Sequence, residues 1–220
     1  MEKLATYFSK IEQSGRRLLH LVNDLLDLSK MEAGRMHYEM SRFDLAPAVR
    51  AGVSELEAMA AQRGIRFDVQ LPPETAAVCM DRLRIEQVIR NLLSNALKFS
   101  PDNEPIAVRL SRIRMPHRSC CPEGSATDGL QLQVVDRGVG IPGDELELIF
   151  DKFVQSSKTR SGAGGTGLGL AISREIVQAH GGRIEADHAP QRGAMFTVTL
   201  PMEPCAIHST QETLPARRLA

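Results

Sequence analysis

From Asp81 to Ser100 the chain reads DRLRIEQVIRNLLSNALKFS. Asp81 is a residue type that caps helices, and Ile85, Ile89, Leu92 and Ala96 recur behind it at helical spacing, which predicts a helix from Asp81 to Lys98. A rotation of about 100° per residue puts Arg84, Gln87, Asn91, Asn95 and Lys98 within an arc of roughly 80° on the other face. A merely solvated face would more often use Glu, Lys or Gln, because asparagine is a poor helix former. Amide oxygens suit a magnesium ion that keeps most of its waters, and Lys98 suits a phosphate.

Two glycine-bearing segments follow. Asp136-Arg137-Gly138-Val139-Gly140-Ile141-Pro142 comes directly after the apolar run Leu130 to Val135. Taken alone it reads as a turn. Taken with its neighbours, the Asp136 carboxylate reads as an acceptor for an exocyclic amine such as adenine N6, with the glycines letting backbone approach a flat ring. Gly162-Ala163-Gly164-Gly165-Thr166-Gly167-Leu168-Gly169-Leu170 then opens a helix that runs to His180. Free N–H groups and the positive end of a helix dipole suit a polyphosphate there. The segment is not a dinucleotide fingerprint, because no βαβ unit surrounds it, and it is not a P-loop, because no Gly-Lys-Ser/Thr follows.

Outward from these elements, residues 2 to 33 lack proline and repeat apolar residues at helical spacing, predicting one long helix stopped by Gly34. Its stripe of Leu18, Leu21, Leu25 and Leu28, with Leu19, Val22 and Leu26, is wider than a two-stranded seam requires and belongs in a bundle. Asp27 and Lys30 read as surface charges. A helix from Asp44 to Gln62 ends at Gly64. Strands are predicted at 65–70, 76–80, 106–112, 130–135, 183–187 and 194–200, and Arg114 to Gly129 reads as a surface loop. His117, Cys120 and Cys121 in that loop lack a fourth ligand and read as a bare loop rather than a metal site. The expected architecture is an α/β two-layer sandwich, a mixed sheet covered by helices on one face and preceded by one long bundle helix.

Lysine plus arginine and aspartate plus glutamate each number 27, so no net field draws the chain to nucleic acid or an anionic membrane. The four cysteines form neither a disulfide framework nor paired zinc knuckles, and no run reaches a membrane span, so a cytoplasmic setting is expected, with a full-length parent that could carry membrane segments.

The order of amide helix, DxGxG, and GxGxG opening a helix resembles that of sensor histidine kinases. Asn91 to Ser100 is similar to their asparagine box, DRGVGIP to their first glycine box, Phe150-Asp151-Lys152-Phe153 to their phenylalanine box, and GGTGLGLAI to their second glycine box. The resemblance covers about residues 5 to 202. It implies a Bergerat-type catalytic domain at 37–202, a tail at 203–220, and at 1–36 the second helix of the dimerisation hairpin, with LLDLSK at Leu25 to Lys30 in family style. It implies Mg²⁺ at Asn95 with Asn91 nearby, phosphate at Lys98, and adenine at Asp136. Gly138, Gly140 and Ile141 join that nucleotide set with Gly165, Thr166, Gly167, Leu168, Gly169 and Thr197. Phe150, Phe153 and the glycine-rich segment would form a mobile lid from about Asp144 to Gly164, in which Lys158 and Arg160 suit either the γ-phosphate or solvent.

Gyrase-like ATPases hold a glutamate at the position of Asn91, and an amide cannot act as a general base, so transfer to another acceptor suits this site better than hydrolysis. The hairpin's first helix, with a histidine followed by an acidic residue, is not found here. The six histidines are followed by Leu21, Tyr38, Arg118, Gly181, Ala189 and Ser209. His20 lies on the hairpin helix but reads as an ordinary helical residue. The expected activity is transfer of the ATP γ-phosphoryl group to a histidine on a partner helix, with a response-regulator receiver domain downstream and a homodimer formed through the N-terminal helix of the full-length parent. The alternative is a regulatory interaction module with a vestigial nucleotide site.

Overall fold

Backbone capping sets the element boundaries. The structure, a computed structural model, describes residues 2–72, 77–115, 127–159 and 165–203. Helix α1 runs Glu2–Glu32 and ends in a left-handed glycine, Gly34 at φ +63°, whose N–H donates to the Met31 carbonyl while that of Arg35 reaches Lys30. Gly64 closes α2 (Leu45–Gln62) in the same way, and Asp44 caps its start by accepting the Ala46 N–H at 3.0 Å. Asp81 accepts the Arg84 N–H at 3.1 Å and so caps α3 (Arg82–Phe99).

The remaining elements are β1 (Met40–Asp44), β2 (Phe67–Gln70), β3 (Ala77–Asp81), β4 (Ile106–Met115), β5 (Thr127–Val135), α4 (Gly169–Ala179), β6 (Arg183–His188) and β7 (Ala194–Pro201). Five strands form a mixed sheet in the order β2-β4-β5-β7-β6, parallel between β2 and β4 and antiparallel elsewhere. β1 and β3 pair separately as an antiparallel ribbon. This is the two-layer α/β sandwich expected from the sequence, preceded by the long helix, with the ribbon as an unforeseen addition.

The apolar face of α3 lies in the core: Ile85, Ile89, Leu92, Leu93 and Ala96 are buried together with Val108, Leu132, Val134, Phe196 and Val198 of the sheet. Each of these side chains larger than alanine contributes about 1.5–3 kcal/mol of burial, which fixes the rotation of α3 and therefore the direction of its polar face.

Three readings change. The stretch from Arg114 to Gly129 is not all loop, because β4 and β5 stay paired to Met115 and Thr127; His117, Cys120 and Cys121 lie outside the described residues, as does the tail from 204. Asp27 is not a surface charge: its carboxylate takes both terminal nitrogens of Arg84, at 2.6 and 3.3 Å. Finally, the stretch expected to be loosely held from Asp144 is anchored by buried Ile149 and Phe150 in a short 3-10 turn, Leu148–Phe150. On α1, Leu18, Leu19, Val22, Leu25 and Leu26 are exposed, whereas Leu28 is buried. Among the described residues no helix is long and apolar enough to cross a membrane.

Candidate functional site

The ends of α3, β5 and β7 and the start of α4 enclose a cleft of about 340 Å³. At one end is Asp136, delivered by β5 and only 4 % exposed. Its Oδ1 accepts the N–H of Gly138 at 2.8 Å and that of Ala194 at 3.2 Å, which fixes the plane of the carboxylate. Burial raises its pKa above the usual aspartate value, and the two N–H groups only partly oppose that shift. A buried carboxylate held in this way is built to accept a donor from whatever fills the cleft.

The glycines around it serve packing. A Cβ on Gly138 would collide with the Phe99 carbonyl oxygen, and one on Gly193, at φ +106°, with the carbonyl of Asp136. Gly140 adopts φ +67° with the Gly193 carbonyl 3.1 Å from where its Cβ would stand. The DxGxG turn is therefore welded to the end of α3 and the start of β7, and the bareness of its backbone is used internally as well as toward the cleft.

The other end carries the amide face of α3. Asn91, Ser94, Asn95 and Lys98 line the cleft. Asn91 Nδ2 donates to Ser173 Oγ on α4 at 2.9 Å, and Asn95 Nδ2 donates to Asn91 Oδ1 at 3.3 Å. Asn91 thus joins α3 to α4, while the oxygen of Asn95 is the amide acceptor that neither bond uses. Lys98 Nζ lies 4.8 Å from the Phe99 ring centroid. Arg84 and Gln87, on the same polar arc, do not join the cleft lining: Arg84 reaches Asp27 on α1 and donates to Gln87 Oε1 at 2.9 Å.

The wall facing them is the glycine segment. Gly165, Thr166, Gly167 and Gly169 line the cleft. Gly167 at φ +71° accepts the Phe153 N–H at 3.0 Å through its carbonyl, and a Cβ on Gly169 would stand 2.5 Å from Asn91 Oδ1. α4 starts without a side-chain cap, since Thr166 Oγ1 takes the N–H of Leu168 one position upstream of it.

Of the residues singled out from the sequence, Asn91, Asn95, Lys98, Asp136, Gly140, Ile141, Gly165, Thr166, Gly167 and Gly169 come together around one cleft. Gly138 supports Asp136 from behind. Leu168 is buried, and so is Phe150, which stands edge-on to Phe196 with Arg174 over its ring. Phe153 is exposed at φ +64°. Thr197 does not line the cleft: alternation along β7 buries Ala194, Phe196 and Val198 on the cleft side and turns Thr197 to the other face. Lys158 Nζ donates to the Val139 carbonyl at 3.3 Å, and Arg160 lies outside the described residues. Sequence reasoning missed Ile149, Ala194, Phe196 and Asp24. Ala194 and Phe196 share one parity of a strand that was legible; Ile149 sits in a 3-10 turn and Asp24 on α1, and neither had a local signal.

At the far end of α4, His180 is buried. Its Nδ1 donates to the Ile176 carbonyl at 2.7 Å and its Nε2 accepts the Asp81 N–H at 3.0 Å, since a carbonyl only accepts and an amide N–H only donates. Burial lowers its pKa, so this ring is a neutral strut between α4 and α3 with both nitrogens engaged.

Two family models match the chain. That of the histidine kinase-, DNA gyrase B-, and HSP90-like ATPase covers residues 80–204, and that of the His Kinase A (phospho-acceptor) domain covers residues 1–34. The hybrid signal transduction histidine kinase D of Dictyostelium discoideum is 36% identical over 197 residues, covering 88% of this chain and 12% of that protein. The circadian input-output histidine kinase CikA of Synechococcus elongatus is 35% identical over 222 residues, covering 98% of this chain and 28% of that protein. The chain thus spans between about an eighth and a little over a quarter of these curated relatives. Among solved structures, the histidine kinase AdeS of Acinetobacter baumannii superposes with a TM-score of 0.66 at 26% identity, over 89% of this chain and 83% of that one.

Proposed function

The chain belongs to the family of histidine kinase-, DNA gyrase B-, and HSP90-like ATPases, and from that premise we propose that it is the ATP-binding catalytic region of a two-component sensor kinase, passing the γ-phosphoryl group to a histidine on a helix not present in these 220 residues. One observation carries the reading: a buried, oriented carboxylate at one end of the cleft faces an amide-and-lysine helix and an uncapped helix start at the other. That is the charge layout of a nucleotide, a donor-bearing base at one end and a polyanion at the other.

In this reading Asp136 accepts the adenine amine, and Ile141 and Phe196 give the ring apolar walls. The N-terminal N–H groups of α4 and Lys98 hold phosphate oxygens. Asn95, whose amide oxygen is not taken by the bond to Asn91, fits a metal ligand better than Asn91 does. Among the described residues no cluster of three His, Cys, Asp or Glu could cage a metal ion, which suits a Mg²⁺ held chiefly by phosphates and water. Such an ion would neutralise charge on the transferring group. Asn91 orients α3 on α4 and cannot take a proton from water, so the cleft favours an external nucleophile over hydrolysis. His180, buried and doubly bonded, is no candidate for that nucleophile.

The partners that follow are the acceptor helix, a second copy joined through α1 in the parent protein, and a receiver domain. The exposed stripe of Leu18, Val22 and Leu25 supports the first two. Calorimetry with Mg·ATP tests binding. Incubation with labelled ATP, with and without a peptide bearing an acceptor histidine, tests transfer: acid-labile label is expected only on the peptide. Robust labelling of the chain itself, lost on His20→Gln, would overturn the assignment of the acceptor.

A further inference from the structure

The last turn of α3 carries one end of the cleft, and a helix end is where backbone carbonyls run out of partners within the helix. Lys98 and Phe99 line the cleft from that turn, and the Phe99 carbonyl stands directly behind Gly138 of the DxGxG segment. Backbone closes the turn only in part, through the Ser100 N–H that donates to the Ala96 carbonyl. The other donors come from outside the site. Arg63, the residue that ends α2, folds its guanidinium onto the end of α3: Nη1 donates to the Leu97 carbonyl, Nη2 to the Ser100 carbonyl at 2.6 Å, and Nε to Asp102 Oδ1 at 2.8 Å. Two chain turns are locked together around this fork. A Cβ on Gly64, at φ +65°, would stand 2.2 Å from Asn103 Oδ1, and the Asn103 N–H donates to the Arg63 carbonyl at 3.0 Å.

All three guanidinium nitrogens are thus engaged, and the positive group also meets the negative end of the α3 dipole. Arg63 itself does not line the cleft. We propose that Arg63 is a positioning residue of the nucleotide site: it holds the last turn of α3 closed and so sets where Lys98 stands toward phosphate and where the Phe99 carbonyl stands behind Gly138. The proposal rests on the nucleotide reading above and adds to it a residue from the end of α2 that touches no ligand. Two turns earlier on α3, Asn91 is tied to Ser173 of α4. That part of the polar face has its own joint, so the influence of the fork falls on the end nearest Lys98.

Coupling to Lys98 separates this role from plain support of the fold. In the 220-residue chain, Arg63→Met removes the fork and is expected to weaken Mg·ATP binding about tenfold, and Arg63→Lys, a point charge without the fork, severalfold. Lys98→Met weakens binding by itself. On that background either change at Arg63 should add less than about twofold, because the side chain being placed is gone. Ile65→Val, a buried neighbour in sequence, supplies the comparison for lost stability: its melting temperature should fall while Mg·ATP affinity stays within about twofold of the unaltered chain. Isothermal titration reads the affinities and thermal melts read folding; if Arg63→Met does not fold, Arg63→Lys carries the same cycle. Additive losses at Arg63 and Lys98, or undiminished affinity in the Arg63 variants, would overturn the positioning role. So would an equal loss of affinity in Ile65→Val, since affinity would then follow stability alone. If the unaltered chain binds no Mg·ATP, the nucleotide reading falls, and this proposal with it.

Discussion

The two walls of the cleft both use glycine, and they use it differently. On the Asp136 wall the missing Cβ atoms are replaced by backbone: the Phe99 carbonyl at Gly138, the Gly193 carbonyl at Gly140, the Asp136 carbonyl at Gly193. On the Gly165–Gly169 wall the neighbours are mostly side-chain ends, Lys98 Nζ at Gly165 and the Asn91 amide at Gly169, with the Phe153 backbone only at Gly167. Backbone held by a helix end or at the margin of a sheet cannot retreat, whereas the end of a long side chain can. The first wall is therefore a fixed template and the second an adjustable one. That division fits a ligand with an unchanging base at one end and reacting phosphates at the other.

Breaking the fixed wall should produce the largest effect. Gly193→Ala places a methyl group into the Asp136 carbonyl at a φ that L side chains rarely adopt, and about 3 kcal/mol or more of stability should be lost. Urea unfolding of the full chain measures it. A loss below about 1 kcal/mol would mean that this wall yields, and the contrast with its neighbour would collapse.

Next comes the carboxylate itself. Asp136→Asn keeps an oxygen for the Gly138 and Ala194 N–H groups but presents an amide donor to a donor, so ATP affinity should fall by about 5- to 150-fold, or about 1–3 kcal/mol. Stability of the empty protein should not fall in parallel at neutral pH, because burial makes the charged form unfavourable. The sign follows from linkage. With the folded pKa above the ordinary value of 3.8, the folded state holds its proton longer than the unfolded one. This contribution to stability is fully present below that value and is lost as pH rises through the folded pKa. The variant should lack that slope in urea midpoints taken across the acid range, so a slope that persists would assign it to another group.

Much of this site was legible because it is written in local periods. The 3.6-residue repeat of α3 separates Ile85, Ile89 and Leu92 from Asn91, Asn95 and Lys98, and the cap at Asp81 fixes where the repeat starts. The same repeat could not tell which neighbour each polar residue meets, and so Arg84, which turns to Asp27 on α1, and Gln87, which accepts from Arg84, looked like companions of Asn91. Thr197 failed for a reason that alternation could have exposed: Ala194, Phe196, Val198 and Leu200 share one parity of β7, and Thr197 has the other. The β1–β3 ribbon and the Asp27–Arg84 pair were not legible at all. They join residues some 40 and 57 positions apart, and no local pattern announces a partner at that distance.

The joint between α3 and α4 gives a smaller effect. Ser173→Ala removes the acceptor of the Asn91 amide, with a cost of about 1 kcal/mol in stability. Because Asn91 also accepts from Asn95, its loosened amide should weaken Mg·ATP binding only a fewfold, at about the scale of one neutral hydrogen bond. A double-mutant cycle with Asn91→Ala isolates the pair. Additive losses would show that the two side chains do not share their energy across the joint.

The smallest effect is predicted at Gly165, and it is the sharpest test of the contrast. Among the described residues, alanine there meets only Lys98 Nζ at 3.2 Å and Gln155 Nε2 at 3.9 Å, and both atoms end long side chains. A shift of a few tenths of an ångström in the lysine relieves the contact, so stability should change by no more than about 0.5 kcal/mol. Gly167→Ala, two residues along, adds a methyl at φ +71° against the Phe153 backbone at 2.7 Å, and it should cost several times more. The comparison holds substitution and loop constant and varies what stands behind the glycine together with its φ, which is positive at Gly167 and not at Gly165. If thermal melts gave Gly165→Ala and Gly167→Ala equal losses, neither φ nor the neighbours in the fold would be setting the cost, because the restriction of the unfolded chain is alike for both and acts to stabilise.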